Sequence, residues 1–218
     1  VAYKETISIP SEGEGKYIHQ RGSRGQYGHC KVRVEPKNRG EGYEFVNGIK
    51  GGIIPANFIP AIEKGVKETL QNGIISGYPA IDIKVTVFDG SYHDVDSSEM
   101  AFKLAGSYAI KDAFQKARPI ILEPVMAMEV NVPSEFMGTV IGDLSSRRGQ
   151  INSTKEDKGF SIFEAEIPLE AVRGYATVIR SLTQGRGSFY MEPKYYKQVP
   201  QLIQDQIVSN FTGGNGQK

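Results

Sequence analysis

The sequence predicts a two-domain α+β protein. Three observations carry this: strands followed by two helices in the first half, strands and helices alternating in the second, and a restart of the pattern near residue 120. At 218 residues the chain is long enough for two small domains, each with its own core.

In the first half, residues 3–9 and 16–21 read as strands, with the glycine-rich run Ser11-Glu12-Gly13-Glu14-Gly15 read as a turn between them. Residues 30–35 alternate with period two, as a half-buried strand does, and 44–49 form another candidate. Ile59, Ile62, Val66 and Leu70 recur at helical spacing, and Asn72-Gly73 supplies a stop. Residues 80–88 form a β-branched strand. Asp96 with Glu99 three residues on then matches a capping box, with Asp in place of Ser or Thr. The helix it starts carries Ala101, Leu104, Ala105, Tyr108 and Ala109 on one face and ends at Pro119.

Ile120-Ile121-Leu122-Glu123-Pro124 reads as the linker. After it Met126, Met128, Val130 and Val132 alternate as a strand, and Met137, Val140, Ile141 and Leu144 follow at helical spacing up to Arg147-Arg148-Gly149. Residues 150–155 and 160–167 are strands joined by a polar turn. Val172, Tyr175, Ala176 and Ile179 mark a helix that stops at Gly185, and 188–192 give a last strand. The order β-α-β-β-α-β is the ferredoxin-like split βαβ arrangement. The domains expected are therefore 1–120 and 121–200, with 201–218 as a short helix (201–208) and a disordered tail.

No run approaches eighteen apolar residues, so no spanning helix is predicted. The chain starts at a strand, without initiator Met or apolar leader, and reads as a piece of something longer. The single cysteine, Cys30, points to a reducing, cytoplasmic setting. Net charge is +1, but residues 16–39 hold seven Lys or Arg against one acid, Glu35. That density suits a phosphate-facing surface or, equally, a solvated hairpin.

Motifs for chemistry are scarce. No phosphate-binding G-x-x-x-x-G-K-[ST] loop is present, so no GTP hydrolysis is expected of this chain. His19, His29, His93 and Cys30 lack metal-ligand spacing, and His93, Asp94 and Ser97 lack the nucleophile turn of a hydrolase. The segment from Arg21 through Gly22, Ser23, Arg24, Gly25, Gln26, Tyr27 and Gly28 to His29 is the richest. Its glycines permit close backbone approach, its arginines offer forked donors to phosphate, and Gln26 and Tyr27 can bond to or stack on bases. The alternative is an ordinary flexible hairpin tip. Residues 89–96 place Tyr92, His93 and Asp94 in an exposed turn at the end of a strand. Lys158-Gly159-Phe160-Ser161-Ile162-Phe163 faintly matches an RNA-recognition signature, but Ile162 and Ala165 stand where stacking aromatics belong, so this strand reads as core.

The runs RGQYGH at 24–29, GYEFVN at 42–47, FDGSYHDVDSSEMAF at 88–102, MG at 137–138, VIGDL at 140–144, RRGQ at 147–150 and TQGRG at 183–187 together resemble the elongation factor G family, in order and in register from residue 1 to about 200. The resemblance implies that 1–120 is that family's elongated fourth domain, an α/β fold related to a ribosomal-protein domain. It implies that 121–200 is the ferredoxin-like fifth domain. By the same resemblance the chain is a non-enzymatic arm of a translocase. Its tip, Ser23, Arg24, Gly25, Gln26 and Tyr27 with Tyr92, His93 and Asp94, would enter the small-subunit decoding centre as tRNA and mRNA move from A to P site. Arg21, Lys31 and Arg33 would support the tip, and the fifth domain would lie on large-subunit rRNA near the stalk base. GTP and magnesium would belong to an absent GTPase domain; in this chain no cofactor, metal or membrane is expected, and the molecule is expected to be monomeric. Two departures are noted: Ser23 stands where many relatives have glycine, and the strand over 155–163 is more polar and aromatic than the pattern. The rival readings are a paralogue acting in ribosome recycling or ribosomal protection, a free-standing RNA-binding module and, last, a hydrolase.

Overall fold

The structure is a computed structural model that describes residues 1–22 and 24–215, apart from the side chains of Arg21, Arg24 and the last two of these residues. Its contacts divide it into two compact units. One comprises Tyr3–Leu122 and the residues from Gln198 onward; the other comprises Val1–Ala2 and Glu123–Lys197.

In the first unit a four-stranded sheet has the order β2-β3-β5-β4, from β2 (Ser11–Arg21), β3 (Arg24–Pro36), β4 (Glu44–Asn47) and β5 (Ile83–Ser91). β3 is antiparallel to both β2 and β5, and β4 runs parallel to β5. Helices α1 (Ile59–Asn72) and α2 (Glu99–Gln115) complete the core. Alternate residues of the strands point inward: Cys30, Val32 and Val34 on β3, Ile83, Val85 and Val87 on β5. They meet Ile62, Val66 and Leu70 of α1 and Phe102, Ile110 and Phe114 of α2. Each such side chain contributes about 1.5–3 kcal/mol through burial. Burial also pushes the Cys30 thiol up to about 12, with Glu14 adding to the effect, so this cysteine is inert packing.

The run 11–15 is strand, not turn, which corrects the sequence reading. Its glycines serve a helix crossing. Ala101, Ala105, Ala109 and Ala113 form an i, i+4 row along α2, all fully buried. A Cβ on Gly13 would lie 2.3 Å from the Ala109 carbonyl oxygen, one on Gly15 1.9 Å from that of Ala105, and one on Gly28 of β3 2.3 Å from that of Ala101. Gly65 of α1 has the same relation to α2 on its other side, 2.0 Å from Lys103 O. α2 is thus gripped backbone to backbone.

The cap of α2 also differs from expectation. Ser98, in extended conformation, is the N-cap, and its Oγ accepts from Ala101 N at 3.1 Å. Asp96 lies before the cap, where its carbonyl accepts from Tyr27 N at 2.8 Å.

Strand β1 (Lys4–Thr6) carries Glu5, fully buried, whose carboxylate accepts from the backbone amides of Ile74 (2.8 Å), Ile75 (3.2 Å) and Ser76 (2.7 Å). The loop after α1 is folded around this anion, which has no need of a cation while those donors face it. Asp82, also buried, accepts from Gly40 N, Gly42 N and Arg39 and so holds the turn before β4.

The stretch 120–124, read as the linker, does contain the boundary between the two units, but it is regular strand. It begins β6 (Ile120–Pro133), one continuous strand. Its first residues pair with β1 in the first unit, Glu5 opposite Ile121, and the remainder pairs with β8 (Phe160–Pro168) in the second. Consecutive burial on both faces hid the alternation that would have shown this. Glu123 is 2% exposed and accepts a forked pair of hydrogen bonds from Arg148, at 2.6 and 3.1 Å. Arg148→Ala strands that carboxylate and is expected to destabilise the second unit by about 3–5 kcal/mol, readable as a lowered denaturant midpoint.

The second unit has the sheet order β9-β6-β8-β7, with β7 (Gln150–Asp157), β9 (Ser188–Gln198) and helices α3 (Met137–Ser146) and α4 (Tyr175–Leu182). This is the predicted ferredoxin-like order. Met128, Val130, Val140, Leu144, Phe163, Ile167, Tyr175 and Ile179 make its core. The TQGRG run is the stop of α4: buried Thr183 accepts from Gly187 N at 2.8 Å, while Gln184 and Gly185 take positive φ.

The tail helix α5 (Gln201–Asn215) is longer than the predicted 201–208 and replaces the expected disorder up to that residue; 216–218 lie outside the described residues. Gln204 accepts from Ile121 N and donates to Pro119 O, and the Phe211 ring lies over Gly77.

Candidate functional site

Strands β2 and β3 pair without interruption from Ser11 opposite Val34 to Arg21 opposite Arg24. Only two residues are left to turn the chain, and the first, Gly22, has φ +59, a value that glycine adopts freely. Ser23 lies outside the described residues, as do the side chains of Arg21 and Arg24. Gly25, Gln26 and Tyr27 are strand residues, so the loop expected over 23–27 is strand from Arg24 onward.

Gln26 and Tyr27 are committed inside the fold. Gln26 Oε1 accepts from Ser98 Oγ at 2.6 Å, the same hydroxyl that caps α2. Tyr27 is 7% exposed, which removes it as an open platform for bases. Gly25 passes so close to Asp96 that a Cβ would lie 2.7 Å from its Cγ.

Tyr92, His93 and Asp94 follow β5 directly and are exposed. The loop is nonetheless held. His93 N donates to Ser97 Oγ at 3.0 Å, and Ser97 N donates to His93 O at 3.1 Å. Ser97 is thereby the clasp of the loop rather than a nucleophile. The His93 ring stacks on Tyr27 with centroids 3.9 Å apart and planes 23° apart. Tyr92 leans on Phe58, which stacks on core Phe102 at 4.8 Å. The result is an exposed imidazole on a rigid base.

Beneath Tyr27 runs a polar chain. Its hydroxyl bonds Ser91 Oγ, Ser91 Oγ lies 2.7 Å from His29 Nδ1, and His29 Nε2 lies 3.0 Å from Glu14 Oε1. Acid, histidine and serine match the residue types of an acyl-transfer triad, but Tyr27 occupies the serine oxygen and the arrangement is structural.

The basic patch resolves differently from its count. Arg33 donates to Glu12 at 2.9 Å and lies over the Phe88 ring, and Lys31 pairs with Glu14 and Asp89 at 4.0 and 3.8 Å. Lys37 pairs with Glu44 and Arg39 with Asp82. Glu12 and Glu14 lie directly across from Arg33 and Lys31 in the ladder, just outside the window that counted seven cations. Lys31 and Arg33 therefore form a neutralised flank, and the other cations of that window, Lys16, Arg21 and Arg24, fall nearer the turn. Sequence reading also missed Val95, 90% exposed at the crest of the His93 loop, and Ile18, 59% exposed on β2. An apolar residue between two aspartates was the available signal for Val95.

In the second unit, Phe163 and Ala165 of β8 are buried, as expected of a core strand. Among the described residues no helix is long and apolar enough to cross a membrane, and no cluster of three or more His, Cys, Asp or Glu side chains converges as a metal site.

Comparison with known proteins places the chain in a family. Residues 1–118 match the family model "Elongation factor G, domain IV", and 120–207 match "Elongation factor G C-terminus". The chain is 53% identical to elongation factor G of Aquifex pyrophilus over 214 residues, 98% of this chain and 31% of that protein. A crystal structure of a protein from Thermus thermophilus superposes with a TM-score of 0.86 at 39% identity, covering 98% of this chain and 32% of the other. The chain thus spans about a third of the length of these relatives. With two consecutive family models covering it nearly end to end, the chain belongs to the elongation factor G family.

Proposed function

We propose that this chain is a ribosome-contacting arm that favours tRNA–mRNA movement from A to P site, acting as a steric and electrostatic pawl with no catalysis of its own. The observation that carries the reading is His93: an exposed ring stacked at 3.9 Å on a buried tyrosine, at the end of a hairpin braced by α2. A blocker must resist displacement. Every bond that fixes the loop, from Ser97, Asp96 and Ser98, serves that purpose.

In this reading the Gly22 turn, with Arg21, Ser23, Arg24 and Gly25, faces phosphate, while His93, Tyr92 and Asp94 occupy space that tRNA needs to slip back. Gln26 and Tyr27 act from inside. A difference of about 1.4 kcal/mol between forward and backward states biases motion tenfold, within reach of a few hydrogen bonds. The part matching the family's C-terminus would rest on large-subunit rRNA near the stalk base. GTP and its magnesium ion are assigned to domains outside this chain, in a cytoplasmic factor that works as a monomer.

The test is binding of the chain to bacterial ribosomes across a salt series, with chemical footprinting of both rRNAs. Protection at the decoding centre and at the stalk base, fading as salt rises, is the expected result. Protection at neither end defeats the reading, and affinity for short single-stranded RNA alone favours a free-standing RNA-binding module.

A further inference from the structure

We infer that Ser91, held by the Glu14–His29 pair, is a positioning residue for His93: it fixes the Tyr27 ring on which the His93 imidazole rests. The functional half of this inference rests on the pawl reading; the structural half does not.

The chain of contacts has a definite polarity. An ionised Glu14 can only accept, so His29 Nε2 carries the proton that meets it at 3.0 Å. In the neutral imidazole Nδ1 is then an acceptor, and Ser91 Oγ, 2.7 Å away, donates to it. The serine oxygen is left to accept from the Tyr27 hydroxyl. Each donor in the row, the Tyr27 and Ser91 hydroxyls and His29 Nε2, is used once, in one direction. The tyrosine ring has little freedom to tilt, because its hydroxyl end is tied to β5 and its backbone amide to Asp96.

Location strengthens the case. Ser91 is the last residue of β5 and sits opposite His29 in the ladder, two residues before His93. It therefore connects the strand that emits the functional loop with the ring that supports it. Gly90 beside it lets β5 approach β3 closely; a Cβ there would lie 2.3 Å from His29 O. Nothing in composition marks Ser91, since residues 89–96 read as an exposed turn after the strand over 80–88.

The experiment has two arms. In the free 218-residue chain, the His93 ring protons should show an upfield ring-current displacement from Tyr27, read by NMR. Ser91→Ala should reduce that displacement by about half or more, and Ser91→Thr should retain it. Tyr27→Phe, which keeps the ring and loses the hydroxyl, should reproduce Ser91→Ala, and the double variant should do no more than either single one. Glu14 is half-exposed, so Glu14→Ala tests the outer end of the row without threatening the fold.

In an elongation factor G carrying this chain as its C-terminal third, Ser91→Ala should slow translocation about fivefold at unchanged GTP hydrolysis. An unchanged His93 displacement in Ser91→Ala overturns the inference. So does a Ser91→Ala effect of full size on the Tyr27→Phe background. A lost displacement with normal translocation in both Ser91→Ala and His93→Ala upholds the positioning role and defeats the pawl instead.

Discussion

Gly15→Ala is expected to remove most of the stability of the first unit. The added methyl would stand 1.9 Å from the carbonyl oxygen of Ala105, 2.5 Å from Ala109 N and 2.9 Å from Ala105 C. All three are backbone atoms of a helix whose other side is pressed against Gly65 of α1, so α2 has nowhere to retreat. Overpacking of a filled core costs about 1–3 kcal/mol when side chains can shift, and more when only backbone can. A loss of about 3 kcal/mol or more, from a total of about 5–15, leaves the unit marginal. Hydrogen-exchange protection of Glu99–Gln115 should fall by about a hundredfold. Gly142→Ala is the matching control in the second unit: no atom lies within 4 Å of its added Cβ, and a helical Gly→Ala change should stabilise by about 0.5–1 kcal/mol. Protection unaltered in Gly15→Ala would mean that the strand–helix approach is looser than its geometry indicates.

The same glycines show what a single sequence can and cannot convey. The helix α1 was legible because Ile59, Ile62, Val66 and Leu70 sit on one face and Gly73 stops it. The second unit was legible for the same reason, two periods alternating in a familiar order. Gly13 and Gly15 were misread because glycine carries two meanings, turn and close approach, and only the position of α2 separates them. The linker reading located the boundary between the units but missed the strand that runs through it, because Glu123 and Pro124 interrupt an apolar run; the cation that permits a buried glutamate, Arg148, lies far along the chain. The capping box at Asp96 failed more narrowly. Three residues competent to cap occur in a row, and Ser98 is the one that caps: Ser97 Oγ already accepts from His93 N, and Asp96 is tied to β3 through its carbonyl, which accepts from Tyr27 N.

The candidate site was legible in its residues but not in its division of labour. Gln26, Tyr27 and His93 do lie together, because β3 and the loop after β5 meet at one place. No sequence feature says that the tyrosine is the support and the histidine the exposed part. The supporting row of Glu14, His29 and Ser91 depends on cross-strand register, which pairs residues far apart in the chain. Charge counting failed for the same reason: a window along the sequence cannot see the acid on the neighbouring strand.

His93→Ala then separates the two halves of the proposed function. In the complete factor the substitution should slow translocation by about 10- to 100-fold, while ribosome-stimulated GTP hydrolysis stays within about twofold of normal. The range follows from what is removed: about 1.4–2.8 kcal/mol of bias in the forward direction, at a factor of ten for each 1.36 kcal/mol. Stability should change little, because the ring is exposed and its backbone bonds to Ser97 survive truncation. His93→Phe keeps a ring able to stack on Tyr27 but carries no polar nitrogen. If bulk alone blocks the return of tRNA, His93→Phe restores most of the rate; if donation to phosphate or base matters, it remains as slow as His93→Ala. Equal loss of translocation and GTP hydrolysis in His93→Ala would defeat the pawl outright, because a residue that only biases movement has no route to the hydrolysis step.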